Sequence, residues 1–184
     1  MVIRKIKDSY VFSSETCALD IIGAKYIRDV ENGEVVYIEN NELKSIKPFP
    51  VRKVRPCVFE YIYFARPDSL LNGKSAYEHR KQFGIELAKE NKIKADIVVP
   101  VPDSGNAAAL GFAQHLGINF ELGLIRNHYV GRTFIEPSQK IRSLGVKLKL
   151  NANQSTIKDK IMQTDKDNKI FSNLIKKLIK NDKI

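Results

Sequence analysis

The sequence predicts an α/β fold built on a parallel sheet. Three observations predict it. Ile97-Val98-Val99 with Val101 forms a β-branched run that reads as a buried strand. Helical segments flank it at short distances, and the order helix, strand, helix, strand favours strands running in one direction. An apolar content of 43% in 184 residues supports a real core, enough for one ordinary domain or pieces of two.

Met1 to Tyr10 is short, charged and poorly patterned. Val35-Val36-Tyr37-Ile38 reads as a strand. Asn40-Asn41 is a hairpin turn, with a weaker return through Leu43 and Ile46. Lys47 to Pro56 carries Pro48, Pro50 and Pro56 among basic residues, the composition of a linker or boundary. Val58 to Ala65 is apolar and aromatic, with periodicity that fits neither helix nor strand alone, and Arg66-Pro67-Asp68-Ser69 ends it. Ser75 with Glu78 fits a capping box, so a helix is expected to about Asn91. Asp96 to Val101 is the expected strand. Asn106 to Leu116 is an alanine-rich helix with Gly117 as its stop, and Ile118 to Ile125 is a further strand. No internal repeat is present.

Composition narrows the function classes. No apolar run reaches membrane-spanning length, and the N-terminus lacks the apolar stretch of a signal peptide, so a soluble, cytoplasmic protein with no membrane partner is expected. Cys17 and Cys57 are too few for a disulfide scaffold or an all-thiolate metal site, and two reduced, mostly buried thiols are expected. The net charge of +10 is concentrated in two places. Six Lys and Arg face only Glu136 between Arg126 and Lys149, and six Lys face three Asp between Ile161 and Ile184. A locally basic loop suits a small polyphosphate as well as it suits DNA. Nucleic acid rests on net charge alone and is not the expected partner.

Two segments carry candidate chemistry. Pro102-Asp103-Ser104-Gly105-Asn106 places a carboxylate and a hydroxyl at a helix start beyond a strand's carboxyl end, where parallel sheets bind ligands. Exposed N–H groups there favour phosphate, and Ser104 or Asp103 suits Mg²⁺, which takes oxygen ligands. The alternative is an ordinary helix cap by Asp103 or Ser104. Arg126 to Ile135 offers Arg126, His128, Tyr129 and Arg132 around Gly131, and guanidinium groups bind phosphate with paired hydrogen bonds. The alternative is a solvated loop, against which Phe134 and Ile135 count, since adjacent large apolar residues suit closure over something. His79 and His115 are read as surface histidines. Glu60, beside Tyr61 and Tyr63, is a candidate for burial in a pair.

Ser14-Glu15-Thr16-Cys17-Ala18-Leu19-Asp20, Phe59 to Ser69 and Tyr129-Val130-Gly131-Arg132-Thr133-Phe134-Ile135 resemble the amidophosphoribosyltransferase family, and the resemblance runs from about Tyr10 to Lys160. It implies the end of a glutaminase (Ntn-type) domain over residues 1–50. An incomplete type I phosphoribosyltransferase sheet follows over 51–160, then a divergent tail over 161–184. The family takes ammonia from glutamine through a channel to phosphoribosyl pyrophosphate, giving phosphoribosylamine for purine synthesis.

The resemblance assigns roles residue by residue. Ser104 resembles a hydroxyl ligand of Mg²⁺. Arg126 to Leu150 resembles a mobile loop over phosphoribosyl pyrophosphate, with Arg126, Tyr129, Arg132 and Thr133 facing substrate. Tyr63, Phe134 and Ile135 match positions that wall the ammonia channel. Arg126, Tyr129, Gly131 and Asn151 match positions of purine nucleotide inhibition. Self-association is also implied. Cys57 matches an iron–sulfur ligand of one branch, but no later cysteine follows it, so no cluster is expected.

Two departures stand out. Met1-Val2 replaces the N-terminal cysteine nucleophile, so glutaminase chemistry is not expected. After Lys160 the family has an apolar strand ending in two aspartates and then a glycine–threonine loop. Here the residues are Ile161-Met162-Gln163-Thr164-Asp165. The tail's Ile170, Phe171, Leu174, Ile175, Leu178 and Ile179 fall on one helical face. Either they form a terminal amphipathic helix, or the tail is an accident of a frame change or early stop, and the second origin is preferred. The expectation is a chain inactive alone. The alternative is a regulatory fragment that binds nucleotide or phosphoribosyl pyrophosphate without catalysis.

Overall fold

The computed structural model describes residues 1–53, 55–131, 135 and 137–164. The chain divides into two units, Met1–His79 and Arg80–Ile184.

The first unit opens with an antiparallel sheet in the order β2-β1-β3, formed by β1 (Val2–Ile6), β2 (Ser9–Ser13) and β3 (Lys25–Asp29). The charged, poorly patterned Met1–Tyr10 stretch therefore forms β1 and the start of β2. The charges that obscured β1 include Arg4, which is buried. Its Nη1 donates to the Ala24 carbonyl at 2.8 Å and pairs with Asp20 at 2.5 Å, so the guanidinium is partnered beside buried Val2 and Ile3.

The hairpin of β4 (Val35–Glu39) and β5 (Glu42–Ile46) forms as expected. Asn40 and Asn41 have φ of 49° and 64°, the double left-handed turn that asparagine tolerates and that matches strand twist. Beside it, Arg28 grips Glu34 through two nitrogens at 2.8 and 2.7 Å, and the Glu31 amide donates to the same carboxylate at 2.8 Å. These donors, the Arg28 hydrogen bonds foremost, hold the Glu34 carboxyl at about 2, below its ordinary 4.5. The folded value is the depressed one. The contribution is therefore full above pH 4.5 and lost as pH falls from there toward 2. Glu34→Gln is expected to flatten the fall in melting temperature across that window, as read by circular dichroism. An unchanged acid limb would show that the pair is not formed.

The Val58–Ala65 run is helical, with a π-helical turn at Glu60–Phe64. Glu60 is exposed rather than buried in a pair, because this turn points it outward. Next come the short hairpin of β6 (Leu70–Leu71) and β7 (Lys74–Ser75) and then helix α1 (Ala76–Glu90). The capping box is present: the Ser75 amide donates to Glu78 at 2.8 Å, and the Glu78 amide donates to the Ser75 hydroxyl at 3.1 Å. His79 is half-buried, not a free surface histidine. Its ring meets Tyr61 edge-on at 4.9 Å, and its Nε2 lies 2.9 Å from the Leu71 carbonyl, so that nitrogen carries the proton. Cys17 is buried as expected. Cys57 is exposed, because it lies in the extended segment before the π-helical turn.

The second unit holds the parallel sheet. Its elements are β8 (Ile97–Val98), α2 (Asn106–Leu116), β9 (Asn119–Phe120), β10 (Leu124–Arg126), α3 (Gln139–Lys149), β11 (Leu150–Ala152), α4 (Gln154–Ile157) and β12 (Met162–Gln163). Sheet order is β12-β8-β9, parallel throughout. The mixed α/β class with a parallel sheet is thus the one the sequence predicts. The expected strand over Asp96–Val101 is regular only at Ile97–Val98, although the Val99 amide still donates to the Gln163 carbonyl at 2.9 Å. The single strand expected over Ile118–Ile125 is two, β9 and β10. The Gly123 amide turns back to the Glu121 carbonyl at 3.0 Å and breaks the run.

Alternation explains why this run is so apolar. Ile97, Val99 and Val101 pack on one side with Leu124 and Ile157, while Val98 packs on the other with Ala88, Ala109, Phe112 and Ala113. A strand covered on both faces needs apolar side chains at every position. Helix α2 ends at Gly117 in the left-handed conformation, φ 68°, as expected of a glycine stop.

Candidate functional site

The turn after β8 and the end of β10 meet. Arg126 Nη1 donates to the Asp103 carboxylate, forming an ion pair between side chains that are 31% and 50% exposed. Residues 23 apart in sequence thus share one site. Sequence reasoning paired the two segments as one candidate site, and the ion pair that joins them, between residues with no periodic relation, is the structure's addition. Arg126 Nε is buried and lacks a hydrogen-bond partner among the described residues.

Neither Asp103 nor Ser104 caps α2 with its side chain. The N-cap is Gly105, without a side-chain bond, and its amide donates to the Val101 carbonyl at 3.1 Å. This corrects the helix-cap alternative. The Asp103 carboxylate is engaged by Arg126 instead, and Ser104 is exposed.

An antiparallel ribbon of β10 and β11 supports the basic loop. Ile125 faces Asn151 and Arg126 faces Leu150, while the Asn127 amide donates to the Lys149 carbonyl at 2.7 Å. Asn151 therefore shares a face of the ribbon with Ile125, and Arg126 shares the other with Leu150, so the pairing does not bring Arg126 and Asn151 onto one face. The Tyr129 amide donates to Asn127 Oδ1 at 3.0 Å, which bends the loop and leaves the Tyr129 side chain fully exposed. Lys149 Nζ donates to the Gly131 carbonyl at 3.0 Å and ties the loop back to the end of α3. His128 is exposed as well.

The segment expected as one long loop, Arg126 to Leu150, contains α3. Ser138 caps that helix by accepting from the Ile141 amide at 3.3 Å, and Lys147 and Lys149 stand in its last turn, where the helix dipole favours cations. Ile141, Leu144 and Leu148 form an apolar stripe on α3 and are 49%, 57% and 55% exposed.

Tyr63 belongs to the first unit. It is 64% exposed, with its ring 5.9 Å from Phe64. Ile135 belongs to the second unit and is 68% exposed. Arg132, Thr133 and Phe134, and the tail from 165 to 184, lie outside the described residues.

Met162–Gln163 forms β12 beside β8. The Ile161 amide donates to Asp96 Oδ2 at 2.7 Å, and the Asp96 amide donates to the Ile161 carbonyl at 2.9 Å, which fixes its register. Backbone pairing, rather than side-chain type, makes this strand. Among the described residues no group of three or more His, Cys, Asp or Glu is placed to hold a metal ion. No described helix is long and apolar enough to cross a membrane.

A parallel α/β sheet with an exposed hydroxyl, a guanidinium and a glycine-punctuated loop at its strand ends has the framework of a phosphate-binding domain. Within that class, the chain is homologous to part of amidophosphoribosyltransferase. It is 57% identical to the enzyme of Rhizobium etli over 87% of this chain and 33% of the relative. It is 47% identical to the Synechococcus elongatus enzyme over 93% of this chain and 35% of the relative, and 52% identical to a chloroplastic form from Vigna aconitifolia over 80% and 30%. A solved glutamine phosphoribosylpyrophosphate amidotransferase from B. subtilis, complexed with ADP and GMP, superposes with a TM-score of 0.79 at 45% identity. It covers 89% of this chain and 36% of that one. No family model matches. The chain spans about a third of the length of these relatives.

Proposed function

We propose that this chain supplies part of the phosphoribosyl pyrophosphate site of an amidophosphoribosyltransferase, the enzyme of the first step of purine synthesis. The observation that carries the reading is the meeting of Asp103 and Arg126, which joins the Ser104 turn to the basic loop. Arg126 binds a phosphate oxygen and orients the pyrophosphate, Tyr129 and Gly131 shape the loop over it, and Arg132 and Thr133 belong to the same contact set. Tyr63, Phe134 and Ile135 belong to the ammonia path. In this reading residues 1–50 end the glutaminase domain and 51–160 open the transferase domain.

Magnesium enters as a companion of the substrate. The described residues do not make a resident site, because the one exposed hydroxyl of Ser104 has no acidic cluster around it. A cation that keeps its waters and the phosphate oxygens needs only one or two protein oxygens, and Ser104 offers one. When bound, it neutralises charge on the pyrophosphate leaving group. Catalysis by this chain alone is not proposed, since paired carboxylates do not follow β12 and positioning and charge stabilisation both suffer. A cytoplasmic location and self-association belong to the same proposal.

Isothermal titration of the chain with phosphoribosyl pyrophosphate and Mg²⁺ tests it. Saturable binding is expected, weakened about ten- to hundredfold in Arg126→Gln, as for one lost charge-assisted contact. Absence of binding in the parent chain overturns the reading. A second reading, nucleotide regulation, is favoured by the solved relative that is complexed with ADP and GMP. GMP competing with phosphoribosyl pyrophosphate, and losing affinity in Asn151→Ala, distinguishes it.

A further inference from the structure

We propose that Asp103 is an internal counter-anion that sets the affinity of the site, so that an incoming phosphate group must take Arg126 from it. This rests on the reading of Arg126 as a phosphate ligand. The carboxylate lies on the turn that also presents Ser104, and its partner on the guanidinium is Nη1. Both side chains remain partly exposed, so the pair is reachable from solvent. A surface pair of this kind is weak, and a multiply charged phosphate competes with it effectively.

The burial pattern adds a second point. Asp103 engages only Nη1, and Nε is buried, so the donors left for an anion are the remaining N–H groups on the two Nη nitrogens. A fork of several N–H donors held by a single carboxylate oxygen retains donor capacity for a tetrahedral phosphate. Lys149, the nearby cation of the ribbon, is tied to the Gly131 carbonyl, which leaves Arg126 as the cation that faces Asp103. Asp103 is thus a positioning residue. It holds the arginine at the turn while no anion is bound, and it repels an anion until the exchange takes place.

The sign of the effect separates this from a structural role. Asp103→Asn removes one negative charge next to the anion site while keeping the side chain's shape. Inorganic pyrophosphate without Mg²⁺ is the probe, followed by isothermal titration at low salt. Binding is expected to tighten about three- to tenfold in Asp103→Asn, and the gain should shrink as salt rises. Asp103→Glu should stay near the parent value. Asp103→Asn combined with Arg126→Gln should bind no more tightly than Arg126→Gln alone. Equal or weaker binding in Asp103→Asn overturns the inference and leaves the proposed function standing. Failure of every variant to bind both pyrophosphate and phosphoribosyl pyrophosphate overturns the two together. Nitrogen NMR of the Arg126 Nε–H in the parent chain supplies an independent reading. Its resonance should shift on pyrophosphate addition, and a resonance that does not move while pyrophosphate binds counts against the exchange.

Discussion

Gly84→Ala and Gly111→Ala should each destabilise the second unit by about 2–3 kcal/mol or more, although helix propensity alone predicts the opposite sign. A Cβ on Gly84 would lie 1.9 Å from the Ala108 carbonyl oxygen, and one on Gly111 would lie 2.0 Å from the Lys81 carbonyl oxygen. The obstacles are backbone atoms, so no flexible side chain can swing aside. The two glycines face each other's helices and let the α1 and α2 backbones touch. Pushing them apart disturbs Ala88, Ala109, Phe112 and Ala113, which cover one side of β8. In an exposed helix, glycine to alanine stabilises by about 1 kcal/mol. Urea denaturation of either variant therefore gives a clean sign. A lower midpoint supports the close approach, and a higher midpoint would sink it. Gly111→Val is expected to prevent folding of this unit.

The second large effect is expected at Glu15, in the first unit. Its Oε2 accepts from the Ser69 hydroxyl at 2.5 Å and from the Arg66 amide at 3.1 Å, and the Ser69 oxygen lies 3.0 Å from the Cys17 sulfur. Alongside, the Leu70 amide donates to the Thr16 hydroxyl at 2.7 Å. Thr16, Cys17 and Ser69 are buried, so their polar atoms depend on one another. These bonds tie the Ser14–Asp20 segment to the Arg66–Leu70 turn. Glu15→Ala strips a charged acceptor from two donors, and the expected cost is about 2–3 kcal/mol. Glu15→Gln, which keeps an acceptor oxygen, should lose less.

The Ser69 hydrogen bond, then the Arg66 amide, hold the Glu15 carboxyl below its ordinary 4.5. That contribution is present above pH 4.5 and disappears as pH falls through the lowered folded value. Denaturation of Glu15→Ala at pH 7 and again in acid checks both points. The gap to the parent chain should narrow in acid, and a constant gap would mean that the loss is one of packing.

Some elements were legible because their determinants are neighbours in the chain. Ser75 and Glu78 are three residues apart and bond to each other, Asn40 and Asn41 form their own turn, and Gly117 ends α2 by its own left-handed φ. The β-branched run at Ile97–Val101 revealed a doubly covered strand for a similar reason, since a parallel sheet demands apolar side chains at successive positions. The Ser104 turn and the Arg126 loop stood out through residue type alone.

Other features required the folded chain. Arg4 lies in a charged, poorly patterned stretch and is buried, because Ala24 and Asp20 reach it from well outside that stretch. β12 pairs through its backbone, which residue type does not announce. The sequence by itself determined the α/β class, the hairpin, the capped helices and the two segments that carry candidate chemistry. Each of those depends on local periodicity or on a short-range hydrogen bond. Only the tertiary structure decided that Asp103 meets Arg126, that Gly84 and Gly111 let two helices touch, and that Glu15 joins the Ser69 turn. Each of these depends on groups distant in sequence becoming neighbours, and that proximity is set by the packing of the whole unit.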